Sequence, residues 1–434
     1  MTDNREIILA ILLEILEKGQ YSHLVMKQVL DKYEYLPKQE RAFIQRITEG
    51  TVERRIQLDY VIDSFSKTKT QKMKPVIRNI LRMAVYQILF MDNVPDSATC
   101  NEAVKLAVKK GFASLKGFVN GVLRTIAREK ETITYPDREK DPAAFLSVYY
   151  SMPEWIVKMW ISEYGEADTE KILQGMLGRR PLTVRFEERI NGERKEELLK
   201  AMEAAGIQAV QSEELEYAYF LDHVDSMKGL PGFQEGEIYI QDIGSMLVTE
   251  LAHVQEGSSV IDVCGAPGGK ALHIASKMKG TGHVLVRDLT EYKVGLIQEN
   301  MERNQIKNCT AQVWDATVLD ETLRETADLV IADRPCSGLG VIGRKSDIKY
   351  RITREDVEKI SSLQRQILQT VSEYVKKGGT LVYSTCTITR EENQENAEWF
   401  AAHFPFTLQE ERSMLPGIQE SDGFYMARFV RNEE

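Results

Sequence analysis

The chain has 434 residues, of which 43% are hydrophobic and 28% are charged, a balance typical of globular domains with buried cores. This composition excludes a disordered chain and a collagen-like fibre. No run reaches the ~18 apolar residues that a membrane-spanning helix needs, and the amino-terminal MTDNREIILAILLEILEK carries acidic residues that are foreign to a signal peptide. The five cysteines form no CxxC pair, so we expect reduced thiols in a cytoplasmic protein.

The net charge of −10 is distributed unevenly along the chain. Residues 1–130 hold 22 Lys and Arg against 15 Asp and Glu, whereas the other residues hold 34 against 51. The first part therefore carries +7 and the rest −17. Such asymmetry favours an amino-terminal part that binds a polyanion and a carboxyl-terminal part with another task. A solvated basic face is the alternative that the charge leaves open.

Residues 1–130 are predicted to be helical throughout, because their apolar residues recur at helical spacing. Residues 131–142 are charged, carry two prolines and are predicted to form a linker. The clearest helical stripes are Ile7, Ile8, Ile11, Leu12, Ile15 and Leu16, and Ile77, Ile80, Leu81, Ala84, Val85 and Ile88.

Residues 143–240 are predicted to form a small α+β subdomain, with a helix around Glu154–Tyr164, extended RPLTVRF, the helix KEELLKAMEAAG and the strands YAYFLD and GEIYIQD. In residues 241–434, five buried strands alternate with helices. These strands are SSVIDVCG, GHVLVRDL, CTAQVWDA, ADLVIADRP and GGTLVYSTC. The alternation predicts an α/β domain with a doubly wound, Rossmann-like parallel sheet.

The segment VIDVCGAPGGKALHIASKM predicts a strand, a glycine-containing loop and a helix. Gly265, Gly268 and Gly269 allow a ligand to approach the backbone at the carboxyl end of the first strand. The loop is neither GxGxxG nor a P-loop, because Ala271 follows Lys270 where a P-loop has Ser or Thr. We therefore expect a ligand other than a polyphosphate.

Acidic residues are predicted to end the next three strands: Asp288, Asp315 and Asp333. Carboxylates at one sheet edge repel a polyphosphate but suit a ligand with sugar hydroxyls, an amine and an adenine. The pattern favours S-adenosylmethionine over NAD. Helix capping or turn formation is the plain alternative for any one of these residues.

Cys336 in DRPCSGLG and Cys386 in VYSTCTI follow the fourth and fifth strands, so both are predicted to lie at the same edge. A thiolate is a strong nucleophile. Methylation of cytosine C5 needs one, because addition of a thiolate to C6 makes C5 nucleophilic. A second base must then remove the C5 proton, and a carboxyl group such as Asp333 can hydrogen-bond the ring. This reasoning leaves the two cysteines equivalent, and a buried apolar role is the alternative for each.

The segments CGAPGGK, DRPCSGLGVIGRK with DIKY after it (Asp333 to Tyr350), and YSTCTI with EEN following resemble the NOL1/NOP2/Sun family of RNA 5-methylcytosine methyltransferases. The amino-terminal ILRMAVYQILFMDNVPDSATCNEAVKLAVKKG and FVNGVLRTIAR resemble NusB, an all-helical RNA-binding module. The combination is similar to bacterial enzymes that methylate C5 of a cytosine in 16S rRNA. It implies an S-adenosylmethionine-dependent methyltransferase domain over residues 241–434, a NusB-like RNA-binding domain over 1–130, and an RNA-entry subdomain over 143–240.

The resemblance also implies a role for individual residues. Cys386 would be the nucleophile that bonds C6, and Cys336 would assist release of the methylated product. Asp333 would serve both the catalytic chemistry and the cofactor. The cofactor would be held by Cys264, Gly265, Ala266, Pro267, Gly268, Gly269, Lys270, Asp288, Asp315 and Asp333.

Three positions depart from the family pattern. Arg334 stands where a small residue is usual, and it is expected either to contact a phosphate or to narrow the pocket. Ala271 replaces a common Thr, and Glu187 replaces Asn, which puts any contact there in doubt.

Three other functions are open to this sequence. A tRNA cytosine-C5 methyltransferase is disfavoured by the NusB-like part, and a non-catalytic ribosome-assembly factor by the two cysteines. The missing GxGxxG disfavours an NAD-dependent oxidoreductase. For the amino-terminal domain, docking of another protein is the alternative to RNA binding.

We expect 16S rRNA as the partner, no membrane and no metal. Nothing in the sequence indicates a coiled coil or an obligate interface, so we expect a monomer.

Overall fold

The structure is a computed structural model that describes residues 3–178 and 181–433. These residues form two compact units. The first unit comprises the described residues up to Leu177 together with Ile342–Arg351, and the second comprises the rest. The unit boundary at Leu177 falls inside the predicted subdomain 143–240 and leaves the helix predicted around Glu154–Tyr164 in the helical unit. The division at residues 130, 142 and 240 stays a prediction. Within the described ranges, no helix is both long and apolar enough to cross a membrane.

The first unit is helical, as the spacing of its apolar residues predicts. Both predicted stripes are buried in its core, one on helix α1 and the other on helix α5. Helix α5 begins at Pro75, whose fixed φ suits the first turn of a helix. The helices are α1 (Asn4–Leu16), α2 (Ser22–Lys32), α3 (Lys38–Glu53), α4 (Arg55–Phe65), α5 (Pro75–Phe90), α6 (Asp96–Lys109), α7 (Lys116–Glu129), α8 (Pro142–Tyr149) and α9 (Glu154–Leu177).

The segment Ile342–Arg351 is distant in sequence from these helices but is part of their unit. The Lys349 ammonium group donates a hydrogen bond to the carbonyl oxygen of Glu53 at 2.8 Å, and the Tyr350 hydroxyl donates to the same oxygen at 3.1 Å. The guanidinium of Arg55 lies 3.7 Å from the centroid of the Tyr350 ring. The carboxyl-terminal half of the motif that begins at Asp333 is therefore built into the helical unit.

The second unit begins with a four-stranded antiparallel sheet, which confirms the predicted strands and helix of this region. Helix α10 (Gly192–Ala204) covers one face, where Leu198 and Met202 enter the sheet's core. The strand order is β2-β3-β1-β4, and the strands are β1 (Leu182–Phe186), β2 (Gln208–Gln211), β3 (Ala218–Asp222) and β4 (Ile238–Ile240).

A seven-stranded sheet forms the larger part of the second unit and confirms the predicted doubly wound arrangement. Its five parallel strands are β5 (Ser259–Asp262), β6 (His283–Asp288), β7 (Cys309–Val313), β8 (Ala327–Asp333) and β9 (Val375–Thr385). Two further strands, β10 (Phe406–Met414) and β11 (Phe424–Arg431), are antiparallel. The helices are α11 (Ile243–Leu251), α12 (Gly269–Lys277), α13 (Glu291–Arg303), α14 (Arg354–Ser372) and α15 (Gln394–His403).

The strand order of this sheet is β10-β11-β9-β8-β5-β6-β7. Chain order reverses between β5 and β8, because β6 and β7 lie on one side of β5 whereas β8 and β9 lie on the other. Ligands of doubly wound sheets bind at the carboxyl ends of the strands beside such a reversal. The topology therefore places the candidate site at the ends of β5, β6, β8 and β9.

Candidate active site

The glycine-containing loop connects strand β5 to helix α12 at the carboxyl edge of the sheet. Gly268 has a φ of +111°, a conformation that side-chain-bearing residues rarely adopt. A Cβ atom on Gly265 would lie 2.4 Å from Cγ1 of Val286. The N–H of Gly265 also donates to the carbonyl of Arg287 at 2.8 Å, which fixes the loop against β6. The predicted loop residues thus lie together; they are Cys264, Gly265, Ala266, Pro267, Gly268, Gly269 and Lys270.

We expect Gly265→Ala to lower the free energy of unfolding by about 1–3 kcal/mol, because the added methyl group overlaps Val286. Affinity for S-adenosylmethionine, measured by calorimetry, should fall at least about tenfold as the loop shifts. Gly295→Ala is the matched control, since no atom lies within 4 Å of its added Cβ inside helix α13. That variant should gain up to about 1 kcal/mol from helix propensity. Equal destabilisation of both variants in urea would contradict the close approach at Gly265.

Asp288 is the last residue of β6 and is buried. One carboxylate oxygen accepts a hydrogen bond from the N–H of Ala266 at 3.1 Å, and the other accepts one from the N–H of Leu289 at 2.7 Å. The second oxygen also lies 2.9 Å from the Lys293 ammonium nitrogen. Asp288 therefore connects the glycine loop to the end of β6.

Asp315 does not end its strand, because β7 ends at Val313, so this part of the sequence prediction is wrong. The Asp315 side chain is exposed and accepts hydrogen bonds from the hydroxyl and the N–H of Thr317, at 2.7 and 2.9 Å. These hydrogen bonds lower the pKa of Asp315. Its carboxylate thus stabilises the turn after β7.

An ion pair between Lys270 and Asp333 lies between the glycine loop and the end of β8. The Lys270 ammonium nitrogen lies 2.6 Å from Oδ2 of Asp333, and the Ser384 hydroxyl donates to Oδ1 at 2.8 Å. Burial lowers the pKa of Lys270, but Asp333 and Asp262 outweigh burial and keep its pKa above the ordinary value. Lys270 therefore remains an ammonium ion, held by the strand-end carboxylates.

Asp262, the last residue of β5, is a buried site residue that sequence reasoning missed. Its Oδ2 atom has no hydrogen-bond partner among the described residues. Burial and the charge of Asp333 raise the pKa of Asp262 to about 7, against the opposing effect of Lys270. The folded chain therefore holds a proton on this carboxyl group that an unfolded chain has already released.

This raised pKa predicts a pH dependence of stability. Because Asp262 titrates near 4 when unfolded and at about 7 when folded, its protonation stabilises the folded state at low pH. That stabilisation is lost as the pH rises from about 4 to about 7. Asparagine does not titrate. The free energy of unfolding of Asp262→Asn, taken relative to that of the parent, should therefore be about 2–3 kcal/mol higher at pH 8 than at pH 5. Urea unfolding at both pH values measures it, and a constant difference would contradict the raised pKa.

The two candidate cysteines lie after neighbouring strands, β8 and β9, in which Asp333 pairs with Ser384. Their sulfur atoms are 3.1 Å apart, well beyond the ~2.05 Å of a disulfide bond. The hydrogen bond between the sulfurs and the burial of the site raise the pKa of Cys336 well above its ordinary value. The structure therefore brings Cys336 and Cys386 together as a hydrogen-bonded pair.

The other three cysteines are chemically quiet. Cys100 and Cys309 are buried, and burial raises the pKa of each thiol. Burial and the nearby acidic groups raise the pKa of Cys264 to about 12. These thiols remain protonated at neutral pH.

Glu392 is a second residue that sequence reasoning did not single out. Its side chain is fully buried and accepts hydrogen bonds from Ser337, Thr389 and Gln364. The only signal in the sequence is its place in the EEN tripeptide. Because Ser337 directly follows Cys336, the Glu392 carboxylate is hydrogen-bonded to the loop that carries Cys336.

Arg334 and Glu187, the departures from the family pattern, both lie inside the second unit. Arg334 is buried, its guanidinium lies 3.8 Å from the centroid of the Tyr383 ring, and burial lowers its pKa to about 10. The expected phosphate contact is therefore not supported. Glu187 is buried too, with Oε1 2.9 Å from Nη2 of Arg185. Its charge is thus neutralised internally.

Three family models match successive parts of the chain. Residues 2–128 match the NusB family, and residues 152–226 match the ferredoxin-like domain of RsmF/B-like methyltransferases. Residues 249–430 match the family described as 16S rRNA methyltransferase RsmB/F. The doubly wound sheet, its glycine loop and its acidic strand ends define a Rossmann-like methyltransferase of the S-adenosylmethionine-dependent class.

A Bacillus subtilis (strain 168) protein named probable ribosomal RNA small subunit methyltransferase B is 38% identical over 405 residues. The match covers 93% of this chain and 89% of that protein. The chain therefore belongs to the ribosomal RNA small subunit methyltransferase B family. This finding confirms the resemblance that the sequence motifs indicate.

Two solved structures share the fold. PH0851 superimposes with a TM-score of 0.81 at 24% identity, and the match covers 99% of both chains. NSun6 from Pyrococcus horikoshii, solved with SFG, gives a TM-score of 0.56 at 20% identity over 65% of this chain and 98% of that one. At these identities the similarity establishes the architecture.

Proposed function

We propose that this protein methylates C5 of a specific cytosine in 16S rRNA, with S-adenosylmethionine as methyl donor and a covalent bond between Cys386 and C6 of the base. One observation carries the proposal: the sulfurs of Cys336 and Cys386, which follow the neighbouring strands β8 and β9, lie 3.1 Å apart. Strand β8 ends at Asp333, which forms an ion pair with Lys270. The family membership and the RsmB/F match support 16S rRNA as substrate.

The chemistry requires a nucleophile because C5 of cytosine is too weak to take a methyl group from a sulfonium ion unaided. Addition of the Cys386 thiolate to C6 converts C5 into an enamine carbon, and this carbon takes the methyl group. A base then removes the C5 proton. The electrons of that C–H bond restore the C5–C6 double bond as the sulfur of Cys386 leaves with its own electron pair.

The resemblance to the family assigns the nucleophile role to Cys386 rather than Cys336. The pKa of Lys270 is lowered by burial but raised by Asp333, by Asp262 and by an electrostatic interaction with Cys386. The pKa of Cys336 is raised by its hydrogen bond to Cys386, by burial and also by the charge of Glu392. Cys336 is thus suited to act as the protonated partner that assists product release.

Asp333 is suited to orient the target base. Lys270 and Ser384 each hold one of its carboxylate oxygens, which fixes the carboxylate while the side chain remains 29% exposed. A fixed carboxylate can accept a hydrogen bond from the N4 amino group beside N3 of cytosine and so orient the ring. Target bases in structured RNA must be splayed out to reach such a pocket.

The residues at this sheet edge fit S-adenosylmethionine. The unpartnered Oδ2 of Asp262 and the carboxylates of Asp288 and Asp333 suit a ligand with an ammonium group, a sulfonium centre and ribose hydroxyls. When bound, S-adenosylmethionine supplies an electrophilic methyl group. We assign its binding to Cys264, Gly265, Ala266, Pro267, Gly268, Gly269, Lys270, Asp288, Asp315 and Asp333, and add Asp262.

The helical part is proposed to bind the RNA backbone. Residues 1–130 carry a net charge of +7, and residues 2–128 match the NusB family. The segment between α4 and α5 exposes four lysines, which suit sequence-tolerant contacts with phosphates. They are Lys67, Lys69, Lys72 and Lys74. Within the same proposal, residues 143–240 shape the entry of the RNA and residues 241–434 perform the chemistry.

A direct test gives the purified protein and S-adenosylmethionine a mixture of unmodified 16S rRNA and total tRNA, and then maps 5-methylcytosine by bisulfite sequencing. We expect a single new site in 16S rRNA, absent with Cys386→Ala. A site only in tRNA would overturn the substrate assignment, and no site in either RNA would overturn the proposed activity.

A further inference from the structure

The Glu392 carboxylate connects the two loops that carry the cysteines. It accepts hydrogen bonds from the N–H of Ser337 at 2.8 Å and from the Ser337 hydroxyl at 2.6 Å. The hydroxyl of Thr389 donates to it at 2.7 Å. Ser337 is the residue after Cys336, and Thr389 lies on the loop that follows Cys386. One buried side chain therefore holds both loops at once.

A carboxylate suits this connection because both of its oxygens act as acceptors. One oxygen accepts from the N–H of Ser337 and from the side-chain amide of Gln364 at 3.2 Å, and the other accepts from the hydroxyls of Ser337 and Thr389. A glutamine would lose the negative charge that strengthens these hydrogen bonds, and an NH₂ group in place of the second oxygen would require both hydroxyls to turn and act as acceptors. The loops also contact each other directly, through the two cysteine sulfurs, through the hydroxyls of Ser337 and Thr387, 2.8 Å apart, and through the N–H of Gly340, which donates to the Cys386 carbonyl at 3.1 Å.

We propose that Glu392 is a positioning residue that keeps Cys336 within hydrogen-bond distance of Cys386 and thereby sets the rate at which the covalent RNA adduct is resolved. This inference rests on the proposed function. Methyl transfer needs the sulfur of Cys386 and the cofactor, both of which are positioned by β9 and the glycine loop. In resolution a base takes the C5 proton, the electrons of that C–H bond form the C5–C6 double bond, and the electron pair of the breaking C6–S bond passes to the sulfur of Cys386. A Cys336 thiol within reach stabilises the departing thiolate by donating its S–H.

The test compares Glu392→Gln with Glu391→Gln in the full-length protein. The two variants make the same chemical change one residue apart, but the side chain of Glu391 pairs with Arg354, at the beginning of α14, rather than with Ser337. Three quantities are measured on 16S rRNA: methyl incorporation with enzyme in excess, steady-state turnover, and the fraction of enzyme linked to RNA on a denaturing gel.

We expect Glu392→Gln to lower steady-state turnover by about 10- to 10²-fold, a loss typical of small displacements of catalytic groups. Methyl incorporation in the first turnover should fall less than about threefold, and the RNA-linked fraction should rise. Glu391→Gln should match the parent in all three quantities. A purely structural role for Glu392 would instead lower the first turnover and the steady state together, with no gain of adduct, and would overturn the inference.

Ser337→Ala provides a second variant that removes one hydroxyl and keeps the buried carboxylate, so it tests the inference even if Glu392→Gln does not fold. Ser337→Ala should also raise the RNA-linked fraction and lower steady-state turnover, by smaller factors than Glu392→Gln. An unchanged adduct fraction in Ser337→Ala would also overturn the inference. Failure of the proposed function looks different, because the parent protein itself would then give no 5-methylcytosine and no adduct at Cys386.

Discussion

Cys386→Ala should methylate 16S rRNA at least about 10³-fold more slowly than the parent, the largest effect expected of any substitution in this protein. Alanine cannot add to C6, so C5 keeps the low nucleophilicity of an unmodified cytosine. Incorporation of labelled methyl groups into 16S rRNA measures the rate, and binding of S-adenosylmethionine should stay within about threefold of the parent, since the glycine loop is untouched.

Cys336→Ala is the matched control, since it removes the other sulfur of the pair, 3.1 Å away. This variant keeps the nucleophile and should still form the covalent bond to RNA. Product release should slow, so an RNA-linked species should accumulate that Cys386→Ala never shows. The reverse pattern, in which the adduct persists in Cys386→Ala and is absent in Cys336→Ala, would exchange the roles of the two cysteines.

Asp333→Asn should lower methylation by about 10²- to 10³-fold, the second largest effect. The substitution removes the counter-charge that lies 2.6 Å from the buried Lys270 ammonium nitrogen, and it removes the carboxylate proposed to orient the base. Because Asp333 is proposed to contact both the target base and S-adenosylmethionine, the substitution should lower the methylation rate and the affinity for S-adenosylmethionine. Both are measured per mole of folded protein.

Asp328→Asn is the matched control for this substitution. Asp328 lies near the opposite end of the same strand and pairs with Lys376 at 2.7 Å. Both side chains are 43% exposed, so this ion pair is worth little and the methylation rate should stay near the parent's. A similar loss in the two variants would indicate damage to β8 rather than loss of a site carboxylate.

Regular patterns made much of the fold predictable. The apolar stripes of α1 and α5 recur at helical spacing, and β5, β6 and β8 are short, mostly apolar runs that end at the sheet edge. Strands β10 and β11 were not predicted. In β10 only the terminal residues, Phe406 and Met414, are buried, so the strand has no apolar alternation to detect. Its place in the sheet depends on pairing with β11.

The site was predictable only where a residue type marks a strand end. Cys336, Cys386, Asp288 and Asp333 could be placed in this way, whereas Asp315 belongs to a turn two residues past its strand. Asp262 also ends its strand, but sequence reasoning missed it. Two further features arise from tertiary packing: the burial of Glu392, which only the EEN tripeptide marks in the sequence, and the inclusion of residues 342–351 in the helical unit.

The roles of the two cysteines could not be assigned from their spacing, because each follows a neighbouring parallel strand in the same way. Cys386 is assigned as the nucleophile by the resemblance to the family. Folding brings charged groups near both sulfurs, because Lys270 interacts electrostatically with Cys386 and Glu392 contributes to the raised pKa of Cys336.

Trapping with a fluorinated substrate tests the covalent mechanism most directly. The protein and S-adenosylmethionine are incubated with 16S rRNA that contains 5-fluorocytidine, whose C5 fluorine cannot be removed as a proton, so that the adduct persists. Mass spectrometry of the linked peptide then identifies the attached residue. The account predicts attachment at Cys386 in the parent and in Cys336→Ala, and none in Cys386→Ala. Attachment at Cys336, or no attachment to RNA that the protein methylates, would contradict it.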